Sequence, residues 1–557
     1  MQAIYNIAEI CAVKGIQNAI ISPGSRSAPL TISFARHPAI EVKVISDERA
    51  AAFIAMGIAR QSKKIVALIC TSGTAGLNYG PAVAESFYQQ IPLLILTADR
   101  PPEWIDQLDG QTIRQTHLFG QHVKASYSLP ADPAHPNSKW TIERTLSEAI
   151  NRAEAFPPGP VHINIPLREP FYPEKEIAFE KDIKIISEQK STLCLSASSS
   201  EALKKEISGY SKILIVPGQN EYNPTLQTHL KNFAKTTGAA IVSDVISNTS
   251  EIATSVHHDL ILQDATNKKN LQPDLLISFG KSIISKELKT FLRNYRAKAH
   301  WHIQEYGEVA DTFQSLTKIV RLKPEDFFKK LFVKKTKNGY TEKWQVAENH
   351  AKKHVESFFQ KESTFSEFRA IYMVLESLPE NSLLHLSNSM PVRYVNYLST
   401  GNKKVEVFAN RGTSGIDGVL STAVGAALAT NKIVTLLIGD MAFFYDRNAF
   451  WHNFLPSNLR IVLLNNHGGG IFRTIEGSSQ QPELETYFET EQPLIAVGLA
   501  FEYNLDYFFC KEESAMRTYL EGFYEKATCS KILEIETNSK VNTDIFNNFK
   551  NHITHGK

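Results

Sequence analysis

Two short apolar runs near the C-terminal end constrain the fold of this chain more than anything else in it. Ile433-Val434-Thr435-Leu436-Leu437-Ile438 closes on Gly439-Asp440, and Ile461-Val462-Leu463-Leu464 closes on Asn465-Asn466 and His467-Gly468-Gly469-Gly470. Runs of this length without polar alternation fit strands covered on both faces. The roughly two dozen residues between Asp440 and Asn466 hold a helix and a return to the next strand, which is a parallel crossover. Both motifs then stand at the carboxyl ends of neighbouring strands, where open α/β sheets bind ligands. A carboxylate, an amide oxygen and a glycine carbonyl are hard donors. With two diphosphate oxygens and a water they fill the octahedron of Mg²⁺. Either motif alone reads as a helix-capping Asp or an Asn turn. Together, each directly after a buried-type strand, they favour a cation site.

The same strand-then-turn grammar recurs along the chain. Asn18 to Ser22 runs into Pro23-Gly24-Ser25-Arg26-Ser27, and Val42 to Ser46 into Asp47-Glu48-Arg49 ahead of an alanine-rich helix. Ile65 to Cys70 runs into Thr71-Ser72-Gly73-Thr74, and Pro92 to Thr97 into Ala98-Asp99-Arg100-Pro101-Pro102. Val161 to Pro166 reads as the last strand of this unit, with a Pro-rich and charged linker to Lys190. A second unit carries Lys212 to Val216, Ala240 to Ser243 and Leu275 to Phe279, and the lysine-rich stretch Lys334 to Lys343 closes it. The third adds Leu383 to Leu386 and Val405 to Phe408. The expectation is three α/β units with parallel sheets over residues 1–180, 190–335 and 350–557. Three such units suggest internal duplication, without a clear sequence repeat.

Composition excludes several classes. A net charge of +2 carries no nucleic-acid footprint, and no apolar run approaches the ~18–20 residues of a membrane span. The N-terminus lacks a basic region and reads as an amphipathic helix, not a leader. The five cysteines are scattered, which fits a reduced cytoplasm and no zinc or disulfide framework. No Gly-x-Gly-x-x-Gly, P-loop or Gly-x-Ser-x-Gly string occurs.

Glu48 stands at a strand-to-helix junction. It is either a first-turn acid favouring the helix dipole or a carboxyl in an apolar surround able to hydrogen-bond or protonate a ring nitrogen. Arg26, Arg100, Arg393 and Arg411 each lie beside a turn that follows a strand. Singly they read as solvated charges; as a set at strand ends they suit a polyanionic substrate. His467 reads as a loop histidine without a catalytic role.

Several strings together resemble the 2-succinyl-5-enolpyruvyl-6-hydroxy-3-cyclohexene-1-carboxylate synthase family, thiamine-diphosphate enzymes of menaquinone biosynthesis. They are Ile21 to Leu30, Asp47-Glu48-Arg49, Thr71 to Ala75, Thr97 to Glu103, Gln111 to Gln115, Asn410 to Gly418 and Asn465 to Phe472. The resemblance implies pyrimidine-binding, central and diphosphate-binding domains of the thiamine-diphosphate-binding fold type. It implies thiamine diphosphate held by Glu48, Ile416, Gly439, Asp440, Asn466 and Gly468. Asp440, Asn466 and the Gly468 carbonyl would ligate Mg²⁺ or Mn²⁺, and Ile416 would bend the cofactor. Ser25, Arg26, Arg100, Gln111, Lys286, Ser389, Arg393, Arg411 and Phe472 would line the substrate site, with Glu48, Arg26, Arg393 and Arg411 taking part in catalysis. Met441 stands where thiamine enzymes often carry glycine, and Glu287 where some relatives carry a second base.

The implied reaction is decarboxylation of 2-oxoglutarate and conjugate addition of the succinyl unit to isochorismate. Arg393 and Arg411 would serve 2-oxoglutarate; Arg26, Arg100 and Lys286 would serve isochorismate. The resemblance also implies a cytoplasmic homodimer or homotetramer with sites between subunits. The alternative is another thiamine-dependent 2-oxo-acid decarboxylase or acetolactate-type synthase. A decarboxylase would be marked by paired histidines near the first unit, but His257-His258 lies in the second.

Overall fold

The computed structural model describes residues 1–173, 176–331, 333, 339–401 and 403–555. Seventeen strands form three sheets among them, and every strand pair within a sheet is parallel. The first sheet holds β1 (Asn18–Ile21), β2 (Glu41–Val44), β3 (Val66–Cys70), β4 (Leu93–Asp99), β5 (Ser126–Ser128) and β6 (Val161–Pro166). The second holds β7 (Ile213–Pro217), β8 (Ala240–Ile241), β9 (Leu275–Phe279), β10 (Ala299–Ile303) and β11 (Lys318–Val320). The third holds β12 (Leu383–Leu386), β13 (Glu406–Ala409), β14 (Val434–Gly439), β15 (Leu459–Asn465), β16 (Asp506–Cys510) and β17 (Lys531–Glu536).

The strand orders are β2-β1-β3-β4-β6-β5, β11-β10-β9-β7-β8 and β13-β12-β14-β15-β17-β16. Counted from its own first strand, the third sheet repeats the order of the first. The second repeats it without a sixth strand. The duplication suspected from the strand grammar is therefore visible in topology although the sequences have diverged. Strands β3, β4, β6 and β15 are buried at every residue, as central parallel strands covered on both faces must be.

The first and third sheets meet through two helices. Glu48–Ser62 follows β2, and Val419–Leu428 follows β13, the equivalent strand. They cross backbone to backbone: a Cβ on Gly57 would stand 2.2 Å from the Thr422 carbonyl oxygen, and one on Gly425 2.1 Å from that of Ile54. The alanines of Ala50-Ala51-Ala52 are buried beside this crossing in one core shared by both sheets. A second shared core joins the central and third sheets. There the Asn248 side chain takes both backbone groups of Val407, at 2.7 and 3.0 Å.

Two expectations about connections change. Among the described residues the segment after β6 has no regular element up to the Ala197–Gly209 helix, but it is more than a linker. Phe179, Ile183 and Ile185 pack on the first core, and Glu180 accepts from Asn6 and Lys139. The lysine-rich stretch from Lys334 lies partly outside the described residues; a helix, Tyr340–Lys361, begins within it. Strand β10 escapes a hydrophobicity reading because it carries His300 and His302. Both are buried around the Ser278 hydroxyl, at 2.7 and 2.9 Å, and burial holds both below the ordinary imidazole range.

Candidate active site

β14 and β15 are neighbours, with Gly439 opposite Leu464, so Asp440 and Asn465-Asn466 stand side by side at their carboxyl ends. The two asparagines do different work. Asn465 is fully buried and its amide donates to Glu534 at 2.6 Å and to the Leu494 carbonyl at 2.9 Å. Asn466 donates through Nδ2 to Glu367 at 2.5 Å, while its buried Oδ1 has no partner. Asp440 is buried and accepts from Met441 N–H and from Gln492 Nε2, both at 2.8 Å. Burial raises its carboxyl to about 6 against these hydrogen bonds. The Gly468 carbonyl accepts Gly470 N–H at 3.1 Å, which leaves a lone pair. A buried carboxylate and an unpartnered amide oxygen at the ends of adjacent strands suit a divalent ion.

Ser387, Asn388 and Ser389 follow β12, which borders β14. The ligand crevice of the third sheet thus opens at the point where strand order reverses. Ser389 has φ +73° and starts the Met390–Leu398 helix. Arg393, on that helix, donates to the Ser389 carbonyl. Arg411, after β13, donates to Asn388 Oδ1 at 2.9 Å, and its buried Nε is unpartnered. Burial pulls both guanidiniums below their ordinary range, and Arg411 lowers Arg393 further by repulsion. Arg460 shows what a structural buried arginine looks like here. Its Nε, Nη1 and Nη2 all donate to backbone carbonyls. Among the described residues neither Arg393 nor Arg411 has an ion pair; Asp259 acts on Arg393, and Asp244 and Glu85 on Arg411, without direct contact, so both guanidinium forks can take a carboxylate.

The loop bearing Arg411 is anchored from outside its own sheet. Glu85, buried on the Gly80–Gln89 helix of the first unit, accepts from Gly412 N, Thr413 N and Thr413 Oγ1 at 2.9, 2.6 and 2.7 Å. Gln219 of the central unit donates to the Ala409 carbonyl at 2.9 Å. Sequence reasoning missed Glu85, Gln219 and Gln492, because nothing local marks a residue whose partner lies 52 to 328 positions away. Lys286 is exposed at the start of the Lys286–Asn294 helix, and among the described residues no hydrogen bond or ion pair joins it to either arginine. Lys289, one turn on, is held low by burial, with Arg411 and Arg393 among the charges depressing it.

Glu48 opens the Glu48–Ser62 helix, and the capping role falls to Asp47. Asp47 accepts from Arg49 N and Ala50 N at 2.8 and 3.2 Å, and from Asn448 at 2.6 Å. Glu48 is therefore free of the cap. Its carboxyl is raised by partial burial and by Asp47. Among the described residues no hydrogen bond or ion pair joins Glu48 to Asp440 or Asn466. Ile416 is exposed, and Phe472 lies 5.7 Å from Phe488, ring to ring.

Arg26 and Arg100 share a third place. With Pro101, Trp104, Asp109, Arg168 and Glu169 they line a cavity of ≈ 390 Å³ at the carboxyl edge of the first sheet. Arg26 donates to the Leu167 carbonyl at 2.9 Å and lies over Phe171. Arg100 pairs with Asp109 at 3.1 Å. Arg168, unremarked in the sequence, is held by Glu103. Ser25 is exposed near this edge. Gln111 has φ +55° and its carbonyl faces Gly73, after β3.

Comparison with known proteins gives concordant results. Residues 1–123 match the family described as thiamine pyrophosphate enzyme, N-terminal TPP binding domain, and residues 199–386 the middle domain of thiamine pyrophosphate enzymes. The 2-succinyl-5-enolpyruvyl-6-hydroxy-3-cyclohexene-1-carboxylate synthase of Cytophaga hutchinsonii is 46% identical, covering 99% of each chain. The protein of the same name from Flavobacterium johnsoniae is 40% identical over 99% of this chain and 98% of its own. That from Porphyromonas gingivalis is 35% identical over 98% and 96%.

Proposed function

The chain belongs to the 2-succinyl-5-enolpyruvyl-6-hydroxy-3-cyclohexene-1-carboxylate synthase family, and from that premise we propose that it joins 2-oxoglutarate to isochorismate with loss of carbon dioxide. Thiamine diphosphate, when bound, supplies the electron sink for decarboxylation and carbon–carbon bond formation. The protein's part is to hold, orient and neutralise. Glu48 holds the proton shared with the aminopyrimidine ring. Asp440, Asn466 and the Gly468 carbonyl hold Mg²⁺ or Mn²⁺ at the diphosphate end, beside Gly439. Ile416 gives the apolar surface against which the cofactor bends. Arg393 and Arg411, with Ser389 and Phe472 nearby, take the carboxylates of 2-oxoglutarate. Arg26, Arg100, Ser25, Gln111 and Lys286 take isochorismate.

The observation that carries this reading is the pair Arg393 and Arg411, half-buried and in no ion pair among the described residues, on the same sheet edge as Asp440 and Asn466. Desolvated cations without counterions are costly unless a ligand supplies the charge. The test is a product assay with 2-oxoglutarate and isochorismate, with thiamine diphosphate and Mg²⁺ present or omitted. Adduct and carbon dioxide should form in equal amounts and only with the cofactor. Carbon dioxide released at the same rate without isochorismate would instead favour a simple decarboxylase.

The reading extends to assembly and compartment. Trp104, Leu108, Ile416, Trp451, Tyr487 and Phe501 are exposed, and among the described residues no hydrogen bond or ion pair joins Glu48 to Asp440. A second copy of the chain, as a homodimer or within a homotetramer, would cover such surface and bring Glu48 of one subunit to Asp440 of another. The five cysteines are free, and no described helix is long and apolar enough to cross a membrane. The cytoplasm, where small carboxylate substrates meet, is the proposed compartment.

A further inference from the structure

Glu367 is a buried acid to which neither the sequence motifs nor the proposed reaction gives a role. It opens the Glu367–Ser377 helix, is 2% exposed, and its own N–H donates to Asn542 Oδ1 at 3.0 Å. Its carboxyl receives Asn466 Nδ2 at 2.5 Å and the Tyr394 hydroxyl. Asn466 reaches Glu367 across 99 positions of sequence, so this contact exists only in the fold. An asparagine amide has two ends of similar shape and opposite character: the NH₂ only donates and the oxygen only accepts. Whichever end a neighbour takes decides which end faces the site. Here the carboxylate takes the NH₂, and the oxygen left over is the unpartnered buried Oδ1, on the strand end next to that of Asp440.

We propose that Glu367 is a positioning residue that selects the amide orientation of Asn466, so that an oxygen and not an NH₂ faces the divalent cation. The inference rests on the cation reading of Asp440 and Asn466. Groups of this kind behind a metal ligand typically change affinity by about 10–100-fold when removed. Glu367→Leu removes the acceptor, and the amide is then free to present its NH₂ to the ion. Glu367→Gln keeps an acceptor oxygen for Asn466, and its own NH₂ can donate to the Tyr394 oxygen. Asn466→Asp in the Leu background has oxygens at both ends and needs no selection.

The experiment is calorimetric titration of Mg²⁺ into each variant saturated with thiamine diphosphate, with melting of the metal-free proteins recorded in parallel. Expected are a loss of about tenfold or more for Glu367→Leu, affinity within about threefold of the parent for Glu367→Gln, and recovery in Glu367→Leu/Asn466→Asp. A purely structural role would lower melting in both Leu proteins and would not be rescued at position 466. Unchanged affinity in Glu367→Leu, or a Gln variant as weak as Leu, overturns the proposal. Should Leu prevent folding, Glu367→Ala, which likewise offers no acceptor to the amide, is titrated in its place with the same expected loss. Asp440→Ala separates the two levels. Weakening there with no effect at Glu367 defeats only the positioning role. No weakening at Asp440 defeats the cation site and the positioning role with it.

Discussion

Arg393 and Arg411 concentrate the chemistry of the third sheet in two side chains whose charges repel. A ligand carboxylate relieves both the burial and the repulsion, so removing either arginine should cost on the order of 2–5 kcal/mol in kcat/KM. The loss should appear when 2-oxoglutarate is varied, whereas Arg26→Ala should affect chiefly isochorismate. Steady-state kinetics with each substrate varied in turn checks the division, and equal effects of all three variants on both substrates would remove it. Asp446 gives a second residue-scale test, away from the ligands. It is fully buried and accepts from Ser421 N and Oγ at 2.7 and 2.8 Å. Burial raises its carboxyl to about 7, above the unfolded value of about 3.9. The folded state therefore binds this proton more tightly than the unfolded chain. Its contribution to stability is complete below about pH 4 and is lost as pH rises through about 7. Melting temperature of the parent should climb as pH falls from about 8 toward 5. Asp446→Asn should flatten that slope, and an identical slope in both proteins would contradict the assignment.

At the scale of elements, the site depends on a loop fastened by a helix from another unit. The Gly80–Gln89 helix presents Glu85 to three donors of the loop that follows β13. Glu85→Ala leaves these donors unsatisfied, at about 1–3 kcal/mol each where they stay dry. The loop carrying Arg411 should then move, raising KM for 2-oxoglutarate by about tenfold or more together with a lower melting temperature. Glu85→Gln still offers one acceptor and should fall between. An Ala variant with parental KM and melting would mean that the loop is held elsewhere. The same element shows how far sequence reading reaches. The turn Asn410 to Gly418 is conspicuous as a string, but nothing in that string names Glu85 as its anchor.

At the scale of the molecule, the proposed site needs two crevices, one for each end of the cofactor. Within the chain the first and third sheets are fixed by the glycine crossing at Gly57 and Gly425, and among the described residues no hydrogen bond or ion pair joins Glu48 to Asp440 across it. Two copies related by a two-fold axis would build two equal sites. Glu48→Gln and Asp440→Ala should each be inactive alone. Mixed under conditions where subunits exchange, they should regain activity at up to about half the sites of the mixed dimers. No recovery despite demonstrated exchange, or an active monomer in sedimentation, would show that one chain suffices.

What the sequence determined by itself were the features written in local chemistry. Unbroken apolar runs specify parallel strands covered on both faces, and the Gly439-Asp440 and Asn465-Asn466 strings fall at their ends because polar and glycine residues must end such runs. The short or polar strands β5, β10 and β11 were not legible, since their burial is granted by neighbours and not by their own letters. The tertiary structure alone decided which atoms of the legible motifs are free. Asn465 is consumed by Glu534, Asp47 takes the cap and leaves Glu48, and Glu367 takes the Asn466 NH₂ while the amide oxygen stays unpartnered. A strand-end motif places a side chain at the crevice, but its hydrogen-bond partners come from distant segments, and those partners settle which group is left to act.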